Sequence, residues 1–341
     1  MFPLIPVFSS RQGKKGHAII RWWLFLTYPH LSVMGRTYMG YAKEIFMELS
    51  KRQKGVTLAI GGSLFWGCSG VAAQYLFEHA MTTEWLVVVR MLTAGILLLA
   101  IDHYTNGSSI WHIWQDAASR WRLLLFGLIG MLAVQYTYFK AIAYSNAPTG
   151  TILQYLMPII VIGWTSLTEH RLPQKAELLC ALLAMVGTLL LVTHGQLDTL
   201  AISTLAVIWG ILSAFAAAFY TTQPRWLLMR WPSTQVIGWA MLIGGMVMGC
   251  IFPPLDYPGE AALMSYLSLA FLCIFGTAVA FWAYVTSTKY IKPQESGILN
   301  AAEPLSSILF SITLLHVSFG LPEIAGSLLI VLPILYISTH K

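Results

Sequence analysis

The sequence predicts an all-α integral membrane protein with ten transmembrane helices arranged as two inverted five-helix repeats. Three observations predict this fold class. Of the 341 residues, 57% are hydrophobic and only 10% are charged, whereas a soluble domain is about one quarter charged. Ten apolar segments follow one another from residue 56 onward, and mean hydropathy is +0.68. The two halves of this region also align with each other when one is shifted by 146 residues, as Tyr138 and Tyr284 show.

Residues 1–55 form a basic N-terminal extension with nine Lys or Arg. Its longest apolar run, 18–34, is broken by Arg21 and Pro29, so it lacks the uninterrupted apolar core of a signal peptide. One interpretation is that translation starts near Met47 and that the upstream residues are not part of the native protein. The other is a basic helix that lies on the membrane surface.

The ten apolar segments each approach the ~20 residues that a helix needs to cross a bilayer, and their connections are short. Their predicted limits are 57–76, 85–101, 122–140, 148–167, 176–193, 200–222, 236–252, 265–286, 295–314 and 321–338.

The basic residues predict the orientation of these spans. If the chain enters from the inside, twelve Lys or Arg lie on the inner side and only Lys140 lies on the outer side, while Arg90 lies within a span. The inner residues are Lys51, Arg52, Lys54, Arg120, Arg122, Arg171, Lys175, Arg225, Arg230, Lys289, Lys292 and Lys341. Because inner loops of membrane proteins carry the excess of Lys and Arg, both termini of the ten-helix body are predicted to be cytoplasmic.

The internal repeat divides the body into residues 56–195 and 200–339. The shift aligns Gln154 with Asn300, Pro158 with Pro304, His170 with His316, and Glu177 with Glu323. Because each repeat has an odd number of spans, the second copy must enter the membrane upside down. Inverted repeats with an interrupted helix at matching positions are typical of secondary transporters, whose sites lie where the repeats meet.

Span 9 contains the leading candidate site. Ser296, Asn300, Glu303, Ser307 and Ser311 follow helical spacing and share one face. Helical rise places Glu303 roughly 13 Å below the start of the span, near the middle of a hydrocarbon core about 30 Å thick. A carboxyl at that depth is costly and usually functional. Pro304 cannot donate to the Asn300 carbonyl, so an acceptor is freed beside the acid. The structural alternative is a packing kink with a buried, protonated glutamate.

Span 4 repeats this pattern in a milder form. Thr151, Gln154, Tyr155 and Pro158 follow i, i+3, i+4, i+7 spacing, which favours a cavity wall over interhelical hydrogen bonding alone. The matched prolines, Pro158 and Pro304, are predicted to be hinges that let both spans bend.

Three further residues complete the predicted site. Trp66 and Trp209 are paired by the repeat and offer aromatic surface to an organic substrate, although single aromatic residues also anchor membrane interfaces. Arg90 lies roughly 7.5 Å from the external end of span 2. It could attract an anionic substrate group or extend to the lipid headgroups. Ser63 and Gly67, four residues apart, are interpreted as small residues that allow close helix approach.

These features together resemble the EamA-type transporters of the drug/metabolite transporter superfamily. The resemblance covers residues 56–339 and rests on the five-plus-five architecture, Arg90, Pro158 with Glu169 eleven residues later, and the Glu303-Pro304 pair. It implies a multi-pass cell-membrane carrier, often an exporter, for small metabolites such as amino acids, amines or nucleosides. This chain departs from the pattern at Leu315, which matches Glu169 in the other repeat. Glu169 is therefore assigned a helix-end role.

The predicted function is secondary active transport by alternating access. Glu303 is predicted either to couple transport to protons or to bind a substrate amine, with Asn300 and Gln154 as hydrogen-bonding neighbours. The alternative is a channel or uniporter for a small solute. An enzyme is disfavoured because GxSxG, HExxH and paired intramembrane acids are absent from the sequence. The sequence also has no P-loop, so ATP is not expected to be the energy source within this chain. No cofactor or metal is predicted. The expected partners are a small-molecule substrate and membrane lipid, and not nucleic acid, because the basic residues are dispersed.

Overall fold

The computed structural model describes residues 29–106, 109–168, 170, 172, 175–193, 202–287, 290–291, 299–300, 302–318 and 320–339. Every regular element in these ranges is helical. Contacts divide the chain into two units, Met1–Gln53 and Lys54–Lys341. The side-chain contacts and the sites described below belong to the second unit. Ser296 and Glu169 of the predicted site lie outside the described residues.

The first half of the chain contains seven α-helices and one π-helical segment among the described residues. The helices are α1 Pro29–Glu78, α2 Thr83–Asn106, α3 Ala117–Leu125, α4 Ala133–Ala143, α5 Ala147–Gln154, α6 Met157–Thr168 and α7 Lys175–Thr193. The π-helical segment Phe126–Leu132 joins α3 to α4.

The second half contains seven further α-helices and a second π-helical segment among the described residues. Its helices are α8 Thr204–Thr222, α9 Arg225–Leu228, α10 Ser233–Ile251, α11 Leu263–Cys273, α12 Ala280–Ser287, α13 Ala302–Leu315 and α14 Leu321–Thr339. Ile274–Val279 is π-helical and joins α11 to α12.

Side-chain caps explain where several helices begin. The Asp116 carboxylate accepts from the Ser119 backbone amide at 3.0 Å before α3. Asn146 accepts from the Thr149 amide at 2.9 Å before α5, and Pro148 occupies the first turn of that helix. Ser203 caps α8 through the Ala206 amide. Each cap satisfies an amide that the first turn of a helix leaves unpaired.

Seven helical stretches are long and apolar enough to cross a membrane by length and composition. They are Lys51–Glu78, Thr83–Thr105, Ala117–Ala143, Ala147–Trp164, Thr204–Leu228, Ser233–Ile251 and Leu263–Tyr284. Ala302–Leu315 and Leu321–Pro333 are shorter apolar helices. Large apolar side chains such as Ile96, Met185 and Leu305 are exposed, whereas polar side chains are buried. This distribution suits a bilayer, because lipid solvates apolar side chains and polar ones must turn inward.

Candidate functional site

Both helices that were predicted to carry prolines at matching positions are broken. The α5 helix ends at Gln154, Tyr155 and Leu156 form a turn, and α6 begins at Met157. Asn300 is likewise a turn residue, and α13 begins at Ala302. Pro158 and Pro304 therefore lie in the first turns of α6 and α13, where a missing backbone donor costs no helical hydrogen bond.

The break before α13 is held to the break before α6 by hydrogen bonds. The Tyr155 hydroxyl donates to the backbone carbonyl of Asn300 at 2.5 Å. It also accepts from Asn300 Nδ2 at 2.9 Å. The Asn300 carbonyl is the acceptor that Pro304 was expected to free, and it is used by a residue 145 positions away in the sequence.

Glu303 is buried at this junction, with 8% of its surface exposed. Its Oε2 accepts from Asn300 Nδ2 at 3.2 Å. Ser63 Oγ on α1 approaches Asn300 Oδ1 at 2.8 Å and the Ala59 carbonyl at 2.9 Å. Ser63, Tyr155, Asn300 and Glu303 are called the carboxyl cluster below. Every polar group of the Asn300 side chain is engaged within it, so the amide is fixed in place.

Ser63 was interpreted from the sequence only as a packing residue, and its contact with Asn300 was missed. Gly67, one turn further along α1, is the residue that lets α1 approach α13 closely enough for this contact. A Cβ atom added to Gly67 would overlap Ser306 Oγ and would lie 2.5 Å from the Glu303 carbonyl oxygen. The four-residue spacing of Ser63 and Gly67 puts both on one helical face. That spacing could have predicted that Ser63 faces α13.

The polar face predicted for span 9 is buried over its described part. Ser307 and Ser311 are fully buried, while Leu305 and Leu309 on the opposite side are exposed. Neither serine hydroxyl has a hydrogen-bond partner among the described residues. The Glu303 carbonyl, the usual acceptor for a serine four residues later, instead accepts from Ser306 at 2.8 Å. The Ser307 hydroxyl therefore remains available beside the acid.

The side chains of Gln154 and Thr151 form hydrogen bonds to residues outside the carboxyl cluster. Gln154 was predicted to be a neighbour of Glu303, but its Nε2 donates to Ser213 Oγ on α8 at 2.7 Å. Thr151 Oγ1 lies 2.9 Å from the Tyr138 hydroxyl and donates to the Ala147 carbonyl. The break turns the chain between Gln154 and Tyr155, so the two side chains contact different helices.

Arg90 does not extend to the headgroups, because only 3% of its surface is exposed. Its Nε donates to Thr277 Oγ1 at 2.5 Å and its Nη2 donates to the Gly276 carbonyl at 3.2 Å, both in the second π-helical segment. The guanidinium carbon lies 4.6 Å from the centre of the Phe139 ring. Nη1 is buried without a partner in the described part of the chain. The charges of Arg90 and Glu303 interact within the same protein interior.

The two tryptophans paired by the repeat lie in different surroundings. Trp66 packs against Phe281 and Tyr284, with ring centres 4.9 Å apart in both cases. Trp209 instead packs edge-on against Tyr136 at 5.6 Å. The ring contacts of the two tryptophans therefore differ, and their role in offering aromatic surface to a substrate stays a prediction.

The ring that Trp209 contacts belongs to a second polar cluster that the sequence reasoning missed. The Tyr136 hydroxyl donates to Glu84 Oε1 at 3.0 Å, and Lys140 forms a 2.7 Å ion pair with the same oxygen. Lys140 had been singled out as the lone basic residue on the predicted outer side. Glu84 opens α2 on that same predicted side, so their pairing could have been anticipated.

Two cavities lie away from the carboxyl cluster. One of about 420 Å³ is lined by apolar residues of α6, α7 and α8, including Ile159, Met185 and Phe215. The other, of about 410 Å³, is lined by Glu84, Trp85 and Asp256 with neighbouring loop residues. The described part of the chain holds no group of three His, Cys, Asp or Glu that could bind a metal ion.

The fold and the site together define a multi-pass helical membrane protein with a buried carboxyl cluster between two broken helices. The model of the EamA-like transporter family matches the chain twice, over residues 53–193 and 204–339. The chain therefore belongs to the EamA-like transporter family.

Individual proteins show the same relationship. Over 291 residues the chain is 37% identical to the "Uncharacterized inner membrane transporter YicL" of Salmonella typhimurium, covering 85% of this chain and 97% of that protein. It is 22% identical over 222 residues to the aromatic amino acid exporter YddG of Ancylobacter novellus, covering 62% of this chain and 71% of the exporter. A solved crystal structure with 17% identity superposes with a TM-score of 0.57 over 84% of this chain and 99% of its own. That likeness concerns the fold alone.

Proposed function

We propose that this protein is a secondary active transporter, working as an exporter of small organic metabolites by alternating access, with Glu303 as the group that couples transport to protons. The observation that carries the proposal is the position of the buried Glu303 carboxyl, where two broken helices meet a third. Asn300 holds the carboxyl through a 3.2 Å hydrogen bond, and Asn300 is itself held by Tyr155 and Ser63. A small relative movement of these helices changes the surroundings of the acid.

Ten spans in two inverted repeats form the proposed framework, with domain limits near residues 56–195 and 200–339. Matched features of the two halves support it. The breaks at Tyr155 and Asn300 lie close to the same repeat position, and so do the two π-helical segments. His170 and His316, also matched, both have left-handed backbones, with φ of 50° and 53°. The separate family match in each half further supports the repeat.

The orientation and location follow from the charges and from a relative. The excess of basic residues on one predicted side favours cytoplasmic ends for the ten-helix body. The relative named as an inner membrane transporter supports placement in that membrane.

The chemistry of the carboxyl cluster suits proton coupling. Burial favours the neutral form of a carboxyl, whereas a donated hydrogen bond and a nearby cation favour the charged form. Glu303 experiences all three influences, from its burial, from Asn300 and from Arg90. Opening the cluster to water on one side of the membrane would shift the balance toward release of the proton. Protonation then favours one conformation by its different interaction with the two states, which is sufficient for coupling.

Aromatic rings near the cluster guide the choice of substrate. Trp66 on α1 contacts both Phe281 and Tyr284, and Gly62 on the same helix also faces Tyr284. Such rings suit the flat faces and cationic groups of organic metabolites. One relative is named as an exporter of aromatic amino acids. Aromatic amino acids are therefore the first compounds to test, followed by other amino acids, amines and nucleosides.

The decisive experiment is transport in proteoliposomes with an imposed pH gradient. Glu303→Gln keeps the size and hydrogen bonding of the side chain but cannot titrate. We expect it to abolish gradient-driven accumulation and to leave exchange of substrate for substrate intact. Glu260→Gln, which changes an exposed loop acid, is the matched control and should behave as wild type. Loss of both activities would indicate that Glu303 pairs with a substrate cation. Wild-type accumulation with unchanged pH dependence in Glu303→Gln would remove Glu303 from the mechanism.

The alternative function, a channel or uniporter, is distinguished in the same vesicles. Carrier flux saturates and shows counterflow, whereas flux through an open pore does neither. A uniporter shows both, but a pH gradient does not drive it to accumulate substrate. The topology is tested by labelling single cysteines in intact cells. The 254–262 loop should react from outside and the 103–119 loop should be shielded, and equal reactivity would contradict the proposed orientation.

A further inference from the structure

Two arginines from distant parts of the chain lie against one tryptophan ring. Arg122 belongs to α3, and Trp226 and Arg230 belong to the segment between α8 and α10. Each guanidinium carbon lies 4.0 Å from the centre of the Trp226 ring. The two cationic centres are therefore no more than 8 Å apart, which is the sum of the two distances. Arg122, Trp226 and Arg230 are called the arginine–tryptophan site.

Hydrogen bonds between the same two segments hold this site in place. Gln223 Nε2 donates to the Arg122 carbonyl at 3.1 Å. Trp231 Nε1 donates to Ser119 Oγ at 2.9 Å. Ser119 is itself fixed, because its hydroxyl donates to the Asp116 carboxylate at 2.5 Å. The two chain segments that carry the arginines are thus held against each other.

The paired charges are not neutralised within the described residues. Neither Arg122 nor Arg230 forms an ion pair with a carboxylate there. Asp116 is the carboxylate whose charge interacts with Arg230, and its oxygen already accepts from the Ser119 amide and hydroxyl. These hydrogen bonds, with the nearby arginine, lower the pKa of Asp116. Both guanidinium groups belong to exposed residues, so their remaining donors face outward.

The site lies at the level of the membrane surface. Three apolar stretches begin or end beside it, namely Ala117–Ala143, Thr204–Leu228 and Ser233–Ile251. Trp226, Trp231 and the exposed Trp121 gather around these ends, as tryptophan does at membrane interfaces. Anionic lipid headgroups lie in this layer and can reach both arginines.

We propose that the arginine–tryptophan site binds the phosphodiester of an anionic membrane phospholipid. Guanidinium groups present planar pairs of donors that match phosphate oxygens, and two of them held within 8 Å can contact one phosphate from two sides. The Trp226 ring orients both cations and packs against the upper part of the lipid. Basic pockets between transmembrane helices are a known form of headgroup recognition. This inference does not depend on the role of Glu303.

The test measures lipid retained by the purified, full-length protein. The protein is titrated in detergent with phosphatidylglycerol or with phosphatidylcholine of the same acyl chains, and bound lipid is counted by native mass spectrometry. We expect wild type to prefer phosphatidylglycerol. Arg122→Gln and Arg230→Gln should each weaken that binding about fivefold, and the double variant about 25-fold.

Arg120→Gln and Arg225→Gln are the matched controls. Both residues are exposed and lie in the same two segments, outside the arginine–tryptophan site. Each control removes one charge, so equal losses in the controls would reduce the effect to general electrostatics and overturn the proposal. Arg122→Lys with Arg230→Lys keeps both charges, removes the planar donors, and should retain part of the preference.

Two further outcomes would also contradict the proposal. One is equal binding of the two lipids by wild type. The other is complete displacement of phosphatidylglycerol by millimolar inorganic phosphate, which would indicate a site for a soluble anion. If the double variant does not fold, Trp226→Leu provides the second route. It keeps both charges, removes the shared ring, and should lower lipid preference while the controls stay unchanged.

Discussion

The helices that follow the two breaks both carry a proline in their first turn, but the chemistry of the two breaks differs. The first break is the turn at Tyr155 and Leu156 before Met157, and the second includes the turn residue Asn300 before α13, which carries Glu303. Positions 157 and 303 coincide under the repeat, so one half has a thioether where the other has an acid. Tyr155 from the first break reaches across and bonds Asn300 of the second. The comparison indicates that both halves contain an interruption, whereas the carboxylic acid lies beside only one of them.

A substitution that makes the second break resemble the first should have the largest effect on transport. Glu303→Met removes the acid and places the residue of position 157 at position 303. We expect gradient-driven accumulation to fall to the level of protein-free liposomes. Met157→Leu, an apolar exchange that usually costs less than ~1.5 kcal/mol, is the control.

The reciprocal variant sharpens this prediction. Met157→Glu combined with Glu303→Met should not restore accumulation, because Asn300 and Ser63 orient a carboxyl only at position 303. Recovery of coupling in that double variant would show that the two breaks are equivalent and would contradict the assignment to one half.

The helices that pack against the two breaks provide the next comparison. A Cβ on Gly67 would lie 2.5 Å from the backbone oxygen of Glu303, so α13 itself would have to move. A Cβ on Gly210 would meet the Leu153 side chain instead, at 2.5 Å from Cδ1 and 2.7 Å from Cβ. Gly67→Ala should therefore destabilise the protein by about 1–3 kcal/mol, and Gly210→Ala should lie at the lower end of that range.

Reversible unfolding in mixed detergent measures both variants. Gly67→Ala should also impair proton-coupled transport more than Gly210→Ala, since the displaced turn of α13 carries Glu303. The opposite order of effects would mean that the break near Glu303 adapts more easily than the break at Tyr155.

The sequence predicted those features of the site that depend on local geometry. Helical spacing predicted that Glu303, Ser307 and Ser311 share one face, and all three are buried. Covalent structure predicted that Pro304 cannot donate to the Asn300 carbonyl, and that oxygen accepts instead from Tyr155 and from the Glu303 amide. The alignment of the two halves matched the left-handed residues His170 and His316.

Features that depend on helix packing could not be predicted in the same way. Gln154 follows the periodicity of its helix, yet the turn directs it to Ser213 and away from Glu303. Ser63 looked like a packing residue because a single sequence does not reveal which helix a small residue faces. Arg90 could be placed at a depth by helical rise, but its contacts with the π-helical segment depend on the way α2 packs.

Removing the hydrogen bonds between Tyr155 and Asn300 should lower the stability of the protein moderately. Tyr155→Phe deletes one hydrogen bond donated to the Asn300 carbonyl and one accepted from Asn300 Nδ2. Hydrogen bonds between membrane helices average about 0.6 kcal/mol each, so a loss of about 1 kcal/mol in unfolding free energy is expected. The pH dependence of transport should change as well, because Asn300 also holds Glu303. Tyr138→Phe, which deletes a buried bond to Thr151, is the control and should alter stability alone. If transport by Tyr155→Phe and by wild type had the same pH dependence, the way Asn300 is held would have no influence on the titration of Glu303.

Among these variants, replacing the matched prolines should change the unfolding free energy least. The same replacements should have a clearer effect on the rate of substrate exchange. Both lie in the first turn of the helix that follows a break, where alanine is also accepted by the backbone. Pro158→Ala and Pro304→Ala should therefore change the unfolding free energy by less than about 1 kcal/mol each, through the greater freedom of the unfolded chain. Alanine supplies a backbone donor, however, and lets each pair of half-helices join across its break. Since the breaks are the proposed hinges of alternating access, the double variant should exchange substrate more slowly at unchanged expression. Single variants compare the two halves directly, and Pro304→Ala should affect proton coupling more because Glu303 precedes it. Wild-type exchange rates in the double variant would assign both prolines to packing. They would also mean that the movement of the carboxyl cluster does not depend on these two prolines.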